Sequence, residues 1–270
     1  MPDAGRWTRR LAHLLLAGMV LAAWEAVVAA GAVDPVLLPP PSAVALRLAQ
    51  WAGEPEPYRD LAVTAFEVLM GYSFGGLFGG LAGLALSLVP RLAAGLLDEA
   101  DTVAAIAPLA AAPLLVSWLG PGVGSAVGLA ALFVGLASLV EVRRSLLGLD
   151  PATLANARML GAGRFALLRH LLVPVAEDRL LATLRPAVRR ATAGALICEF
   201  LGAQAGLGSL VLRSTQAWDA AGACAAVAVL AGASLLVDGC LARTERRLAP
   251  WRRPGGRAHD TPLFRPLEGG

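Results

Sequence analysis

Side chains that could do acid–base or nucleophilic chemistry are few in this sequence of 270 residues, and they are scattered. The three histidines lie far apart, at His13, His170 and His259. The three cysteines lie in or beside apolar runs, at Cys198, Cys224 and Cys240. Neither set has the spacing of a zinc site or of a disulfide framework. The sequence therefore predicts no metal site, no cofactor and no disulfide.

The acidic and basic residues also argue against an enzyme. The glutamates in or beside apolar runs are spread over different segments, at Glu25, Glu67, Glu141 and Glu199. They predict no convergent nucleophile–base pair, and hence no catalytic residue. All 23 basic residues are arginine. Because a phosphate-binding P-loop needs a lysine, the chain has no Walker-type ATPase site of its own.

One polar segment, residues 150–174, is patterned for recognition instead. Asp150 is suited to cap a helix and Pro151 to occupy its first position. A small apolar face then recurs at helical spacing, at Leu154, Ala157 and Gly161. Gly161 and Gly163 break the pattern before a second helical period, which predicts a helix, a glycine corner and a helix. The segment is either an ordinary amphipathic connector or a surface that enters a partner's groove.

The elements around this segment are mostly apolar. Hydrophobic residues make up 57% of the chain, charged residues only 16%, and the mean hydropathy is +0.64. This composition predicts an all-α integral membrane protein, and nucleic-acid binding is not indicated. Six spans are expected, at about 11–33, 64–89, 102–119, 125–140, 187–201 and 222–241. They form one membrane domain over 11–253, between an N-terminal segment (1–10) and a disordered tail (254–270).

Glycine and proline mark two of the predicted spans. In the second span, glycines recur every four residues at Gly71, Gly75, Gly79 and Gly83. Such a stripe lets another helix approach closely, so we expect it to serve helix packing. Pro108 and Pro113 interrupt the third span, where they either kink the helix or shape a path through it.

The arginines predict the orientation of the six spans. Arg47, Arg59 and Arg213 are the arginines expected on one side of the membrane, and all the others fall on the opposite side. Cytoplasmic loops carry the excess of arginine. Both termini and the 150–174 segment are therefore expected in the cytoplasm.

Several stretches along the chain resemble one protein family, the permease subunits of ATP-binding-cassette (ABC) importers of the nitrate, sulfonate and taurine class. The resemblance covers roughly residues 11–253 and rests on the order of its motifs as much as on each motif. These are WE at 24–25, LPPPSAV at 38–44, IAPLAAAPLLVSWLG at 106–120, ANARMLG at 155–161 with its proline at Pro174, CEFLGAQAGLG at 198–208, and TERRLAPW at 244–251.

The resemblance implies a type I importer fold whose cytoplasmic loop between spans four and five docks on a separate ATPase subunit. Two permease chains would work with two ATPase subunits and an extracytoplasmic solute-binding protein in the cell inner membrane. The docking residues implied are Asp150, Leu154, Ala155, Asn156, Ala157, Arg158, Gly161, Ala162 and Pro174. Small residues there would permit close approach to the partner's groove.

The implied cargo is a small anion such as a sulfonate, taurine or nitrate. Candidate residues of the translocation path are Pro108, Pro113, Ser117, Glu199 and Gln204. For Glu199 two roles stay open, a polar group on the path or a buried acid hydrogen-bonded between helices.

The chain departs from the family pattern inside the docking loop. Ala155 stands where the family has a glutamate, and Asn156 where it has an alanine. Asn156 and Asp150 are the polar side chains available to replace the missing carboxylate. The departure leaves a second hypothesis, a degenerate homologue that acts as a membrane scaffold or regulator.

Overall fold

The computed structural model describes residues 4–87, 100–182 and 184–248, and within these ranges the regular elements are all helices. Eleven α-helices are described: α1 Ala4–Ala29, α2 Pro41–Trp51, α3 Pro55–Ser87, α4 Ala100–Leu119, α5 Val123–Leu147, α6 Pro151–Met159, α7 Arg164–Leu167, α8 Val173–Ala182, α9 Leu184–Phe200, α10 Leu207–Gln216 and α11 Ala220–Leu248. A π-helix, Leu168–Leu172, joins α7 to α8.

Three helices are long and apolar enough to cross a membrane. They are α3, α5 and the first part of α11, Ala220–Val237, while shorter apolar helices cover Leu15–Ala29 and Ile106–Leu119. Helix α9 is not among the three, because it is only 17 residues long and its arginines lower its hydropathy. The structure therefore confirms a helical membrane protein, while the number of six spans stays a prediction.

Helix α5 is the centre of the bundle, because α3, α4 and α9 all pack against it. Its buried residues are small or branched apolar side chains such as Leu129, Ala130 and Val134. Ala130 belongs to a core cluster that includes residues of both flanking helices, Val68 and Tyr72 of α3 and Ala187 and Ala191 of α9.

The glycine stripe of α3 lies on its contact with α5. A Cβ added at Gly71 would lie 2.3 Å from the Ala130 Cβ, and one at Gly79 would lie 2.2 Å from the Gly135 carbonyl oxygen. Gly76, in contrast, has nothing within 4 Å. The two helix backbones therefore approach so closely that only glycine fits on the contacting stripe.

Several helices extend beyond the expected spans. Helix α3 begins at Pro55, within the stretch expected to be a loop before residue 64, and α5 continues to Leu147 instead of ending near 140. Pro55 suits the first turn of a helix, where its missing N–H costs nothing. The hydropathy pattern predicted only the apolar part of each helix. The structure shows that the polar residues on either side of that part are helical as well. The 254–270 tail lies outside the described residues.

A polar contact fixes the first helix to the second. Ser42, in the first turn of α2, donates its backbone N–H to Glu25 Oε2 at 3.1 Å and its hydroxyl to Glu25 Oε1 at 2.7 Å. The Glu25 carboxylate thus satisfies a free N–H at the N-terminus of α2, where a negative charge is favourable.

Candidate functional site

The polar segment forms a helical hairpin outside the bundle core. Asp150 Oδ1 accepts a hydrogen bond from the backbone N–H of Ala152 at 3.0 Å, which caps the N-terminus of α6. Gly161 has φ +83°, a left-handed conformation that glycine adopts without strain, and the chain turns there towards α7. Asp150 and Gly161 thus set the start and the end of the first arm.

The most exposed side chains of the hairpin lie around this corner. Met159, Leu160 and Phe165 are 78%, 89% and 72% exposed. Ala155 and Asn156 are exposed too, and Ala157 is half-buried. Three large exposed apolar side chains on one short corner are typical of an interaction site. None of the three was predicted from the sequence, although their position beside Gly161 was visible.

The remaining predicted docking residues lie on the same hairpin. Ala162 is half-buried at the corner and Pro174 is exposed in the first turn of α8. The backbones of Leu154 and Arg158 belong to α6, while their side chains lie outside the described part of the structure. The docking role of this set stays a prediction.

An ion pair and a small core connect the hairpin to the central helix. Glu141 Oε2 of α5 accepts hydrogen bonds from Arg179 of α8, at 3.0 Å from Nε and 2.7 Å from Nη2. Val142 and Leu146 of α5 pack with Ala176 of α8 beside this pair. Helix α8 is therefore attached to α5 by both an ion pair and apolar packing.

A second group of polar side chains lies inside the bundle, around the C-terminal end of α9. One face of α3 carries Asp60, Thr64 and Glu67, which are four and three residues apart and all buried. Asp60 Oδ1 accepts the Gly206 N–H at 3.0 Å, and the Thr64 hydroxyl accepts the Leu207 N–H at 2.8 Å. This face of α3 therefore holds the first residues of α10.

Glu199 is the acid at the centre of this polar cluster. Its side chain is fully buried, its Oε1 accepts from the Thr64 hydroxyl at 2.6 Å, and its Oε2 accepts from the Gly208 N–H at 2.5 Å. A Cβ added at Gly206 would lie 2.4 Å from the Glu199 carboxyl carbon, and one at Gly208 would lie 2.9 Å from Oε2. Gly206 and Gly208, both in the 198–208 motif, therefore leave room for the Glu199 carboxyl group.

Arg213 closes the cluster on its exposed side. Its guanidinium donates to Asp60 Oδ2 at 2.5 Å, to the Ser209 hydroxyl at 2.8 Å and to the Gln204 carbonyl oxygen at 2.9 Å. The cation therefore pairs with Asp60 and ties the 202–206 turn to α10.

The structure separates the candidate path residues into two groups. Pro108 and Glu199 are buried, whereas Pro113, Ser117 and Gln204 are exposed. The hydrogen bonds of Glu199 are those of a buried acid between helices. The part of these residues in a translocation path stays a prediction.

A further ion pair joins α2 to the turn before α11. Arg47 donates to Asp219 Oδ2, and Asp219 Oδ1 accepts the Gly222 N–H at 2.8 Å. Partial burial alone would raise the pKa of Asp219, but the Gly222 N–H and the Arg47 guanidinium outweigh it, so that the pKa lies below its usual value. The carboxylate is therefore charged at neutral pH.

Three apolar helices long enough to cross a membrane, with an exposed polar segment between two of them, are features that membrane transport subunits share. Comparison with protein families agrees. Residues 75–250 match the model of the "binding-protein-dependent transport system inner membrane component" family, and the chain belongs to this family.

Several proteins that are similar to the chain over most of its length are named as transport permeases. The chain is 30% identical to a probable ABC transporter permease protein of Haemophilus influenzae, over 84% of this chain and 92% of the relative. It is 29% identical to the taurine transport system permease protein TauC of Escherichia coli, over 86% of each. A putative aliphatic sulfonates transport permease protein, SsuC of Bacillus subtilis, is 23% identical over 88% of this chain and 87% of the relative.

The chain is therefore a permease subunit of an ABC importer for a small solute, a multi-pass protein of the inner membrane. In such transporters ATP hydrolysis lies in a separate subunit, and family membership implies an ATPase and a solute-binding protein as partners. The expected family and function are thus confirmed.

Proposed function

We propose that two copies of this chain form the translocation path for a small organic or inorganic anion, such as a sulfonate or taurine. A binding protein delivers the anion from outside, and two ATPase subunits drive its import. The names of the relatives support this cargo class. The chain has no lysine, and the two arginines expected at the outer mouth, Arg47 and Arg213, are paired with Asp219 and Asp60. Helix N-termini would therefore meet the anion.

The ATPase docks on the hairpin of residues 150–174 in this proposal. The observation that carries it is the exposed apolar corner of Met159, Leu160 and Phe165 beside the positive-φ glycine Gly161. An amphipathic helix that inserts apolar side chains into a groove is a common mode of recognition. The pair of Glu141 and Arg179 then passes the movement of the ATPases to α5. Alternating access follows as a switch between two packings of the bundle.

The test is co-purification of the permease with its ATPase in nanodiscs, together with ATPase turnover. Leu160→Glu places a charge at the most exposed apolar position of the corner, so we expect it to reduce complex formation at least tenfold. Leu37→Glu is the matched control, because Leu37 is 77% exposed and lies in the loop predicted on the opposite side. The control is expected to keep the complex.

The other outcomes separate the two hypotheses. If Leu160→Glu and Leu37→Glu bind the ATPase equally well, the hairpin corner is not the docking surface. If the wild type binds no ATPase encoded beside it, the scaffold or regulator hypothesis replaces the transport hypothesis. Ala155 in place of the family's glutamate permits that second hypothesis. Uptake of radiolabelled taurine and sulfonates into proteoliposomes then tests the cargo.

A further inference from the structure

Two carboxyl groups meet inside the bundle, and the cluster provides donors for only one of them. Glu67 of α3 and Glu199 of α9 are both fully buried. The Thr64 hydroxyl, which lies three residues before Glu67 on the same face of α3, donates to Glu199 Oε1, so the two carboxyl groups are neighbours. Glu199 accepts from Thr64 and Gly208, as described above. In contrast, neither oxygen of Glu67 receives a hydrogen bond from an N–H or hydroxyl group of the described residues.

The charged and titratable neighbours do not supply a counter-ion to Glu67. From α3, Asp60 faces the same cluster, but its carboxylate is paired with Arg213 of α10. From α9, the Cys198 thiol, adjacent to Glu199 in the chain, donates to the backbone oxygen of Ser125 in α5. The hydrogen bonds of Arg213 go to Asp60, Ser209 and Gln204.

Two ionised carboxylates that are buried side by side without a cation would repel each other strongly. A single proton shared by the pair removes this repulsion, because a neutral carboxylic acid has an O–H that donates to a carboxylate. Glu199 already has two donors and is suited to carry the charge. Glu67 has none, so it is suited to carry the proton.

We propose that Glu67 is held as a neutral carboxylic acid whose O–H donates to the ionised Glu199, so that the pair locks α3 to α9 and the start of α10. Glu67 is thus a positioning residue. It sets the orientation of Glu199, which in turn holds the Gly208 N–H at the beginning of α10. The proposal does not depend on the cargo or on the ATPase.

Infrared spectroscopy of the purified protein at neutral pH tests the protonation directly. The wild type should show the C=O band of a protonated carboxyl group, which is separate from the carboxylate bands. Glu67→Gln should lose this band. Because glutamine has the same size and is a permanent neutral donor, this variant should keep the melting temperature of the wild type.

Glu199→Gln provides the matched comparison. Its amide would turn an N–H towards either the Thr64 hydroxyl or the Gly208 N–H, and the latter contact would set donor against donor. This variant should therefore melt clearly below Glu67→Gln. Glu67→Leu, which removes the donor but keeps the apolar bulk, should also melt below Glu67→Gln.

Specific results would overturn the proposal. Absence of the protonated band from the wild type, or its persistence in Glu67→Gln, would show that Glu67 does not carry the proton. A stable Glu199→Gln beside an unstable Glu67→Gln would assign the proton to Glu199 instead. Failure of Glu67→Gln to fold would count against the proposal too, since an isosteric donor should suffice.

Discussion

At the scale of single residues, the charged side chains of this protein are used to hold helix ends together. Glu25 caps α2, Glu199 anchors the start of α10, and Asp219 pairs with Arg47 across the turn before α11. Each carboxylate accepts a backbone N–H as well as a side-chain donor. Such bonds to charged groups are among the stronger hydrogen bonds of proteins.

Asp219 leads to a prediction about pH. Its pKa in the folded protein lies below the usual value, so the pair with Arg47 stabilises the fold at pH values above the ordinary carboxyl range. This stabilisation is lost as the pH falls through the lowered pKa. The melting temperature of the wild type should therefore drop on acidification by more than that of Asp219→Asn.

The comparison of Asp219→Asn with the wild type is made in detergent by a thermal shift assay between neutral and acidic pH. At neutral pH the variant should be the less stable of the two, because asparagine keeps the Gly222 bond but loses the charge. If the melting temperatures of the two proteins fell equally on acidification, the Asp219 carboxylate would not stabilise the fold through its pair with Arg47.

At the scale of elements, the contact of α3 with α5 depends on the absence of side chains. The Gly79 position faces the backbone of Gly135, whereas Gly76, on the same helix, faces open space. In membrane helices such close approach replaces the hydrophobic effect as the source of association. Any side chain on the contacting stripe must push the two helices apart.

Gly79→Ala should therefore destabilise the bundle by about 1–3 kcal/mol, the usual cost of overpacking. Gly76→Ala is the control. It should leave stability unchanged or raise it by up to about 1 kcal/mol, since alanine is the better helix former. Unfolding in mixed micelles with increasing denaturing detergent measures both variants. Equal stability of the two would mean that α3 and α5 do not meet along the stripe.

At the scale of the whole molecule, the polar features divide between the two ends of the bundle. The hairpin of residues 150–174 precedes α8 and α9, and the 202–219 region follows the C-terminal end of α9, a helix roughly 25 Å long at 1.5 Å per residue. Helix α5 packs against Ala176 of α8 near the hairpin and, through Ser125, contacts Cys198 of α9 beside Glu199, so it is the element best placed to connect the two ends.

Cysteine labelling tests the predicted orientation. In a variant whose three native cysteines are replaced by alanine, Leu160→Cys should react with an impermeant maleimide only after the cells are permeabilised. Leu37→Cys, which is similarly exposed, should react in intact cells. Labelling in the opposite sense would reverse the orientation inferred from the arginines.

The helical membrane class, the glycine stripe and the helix–glycine corner–helix arrangement of residues 150–174 could all be predicted from the sequence. Their signals are local: a long apolar run, a period of four residues, a capping aspartate and a glycine corner at Gly161. Local patterns of this kind follow from the geometry of one helix. For the same reason helix ends such as Pro55 were less well predicted, because polar residues continue a helix without altering the apolar pattern.

What only the tertiary structure decided is which distant groups meet. In the sequence, Glu67 and Glu199 are acids of separate segments, and Asp60 and Arg213 are charges of unrelated loops. Packing of α3 against α9 and α10 brings them into one buried cluster. The sequence by itself determined the class of protein, since hydropathy and motifs are properties of the chain. The partners of each buried charge depend on how the helices cross, and that is a property of the fold.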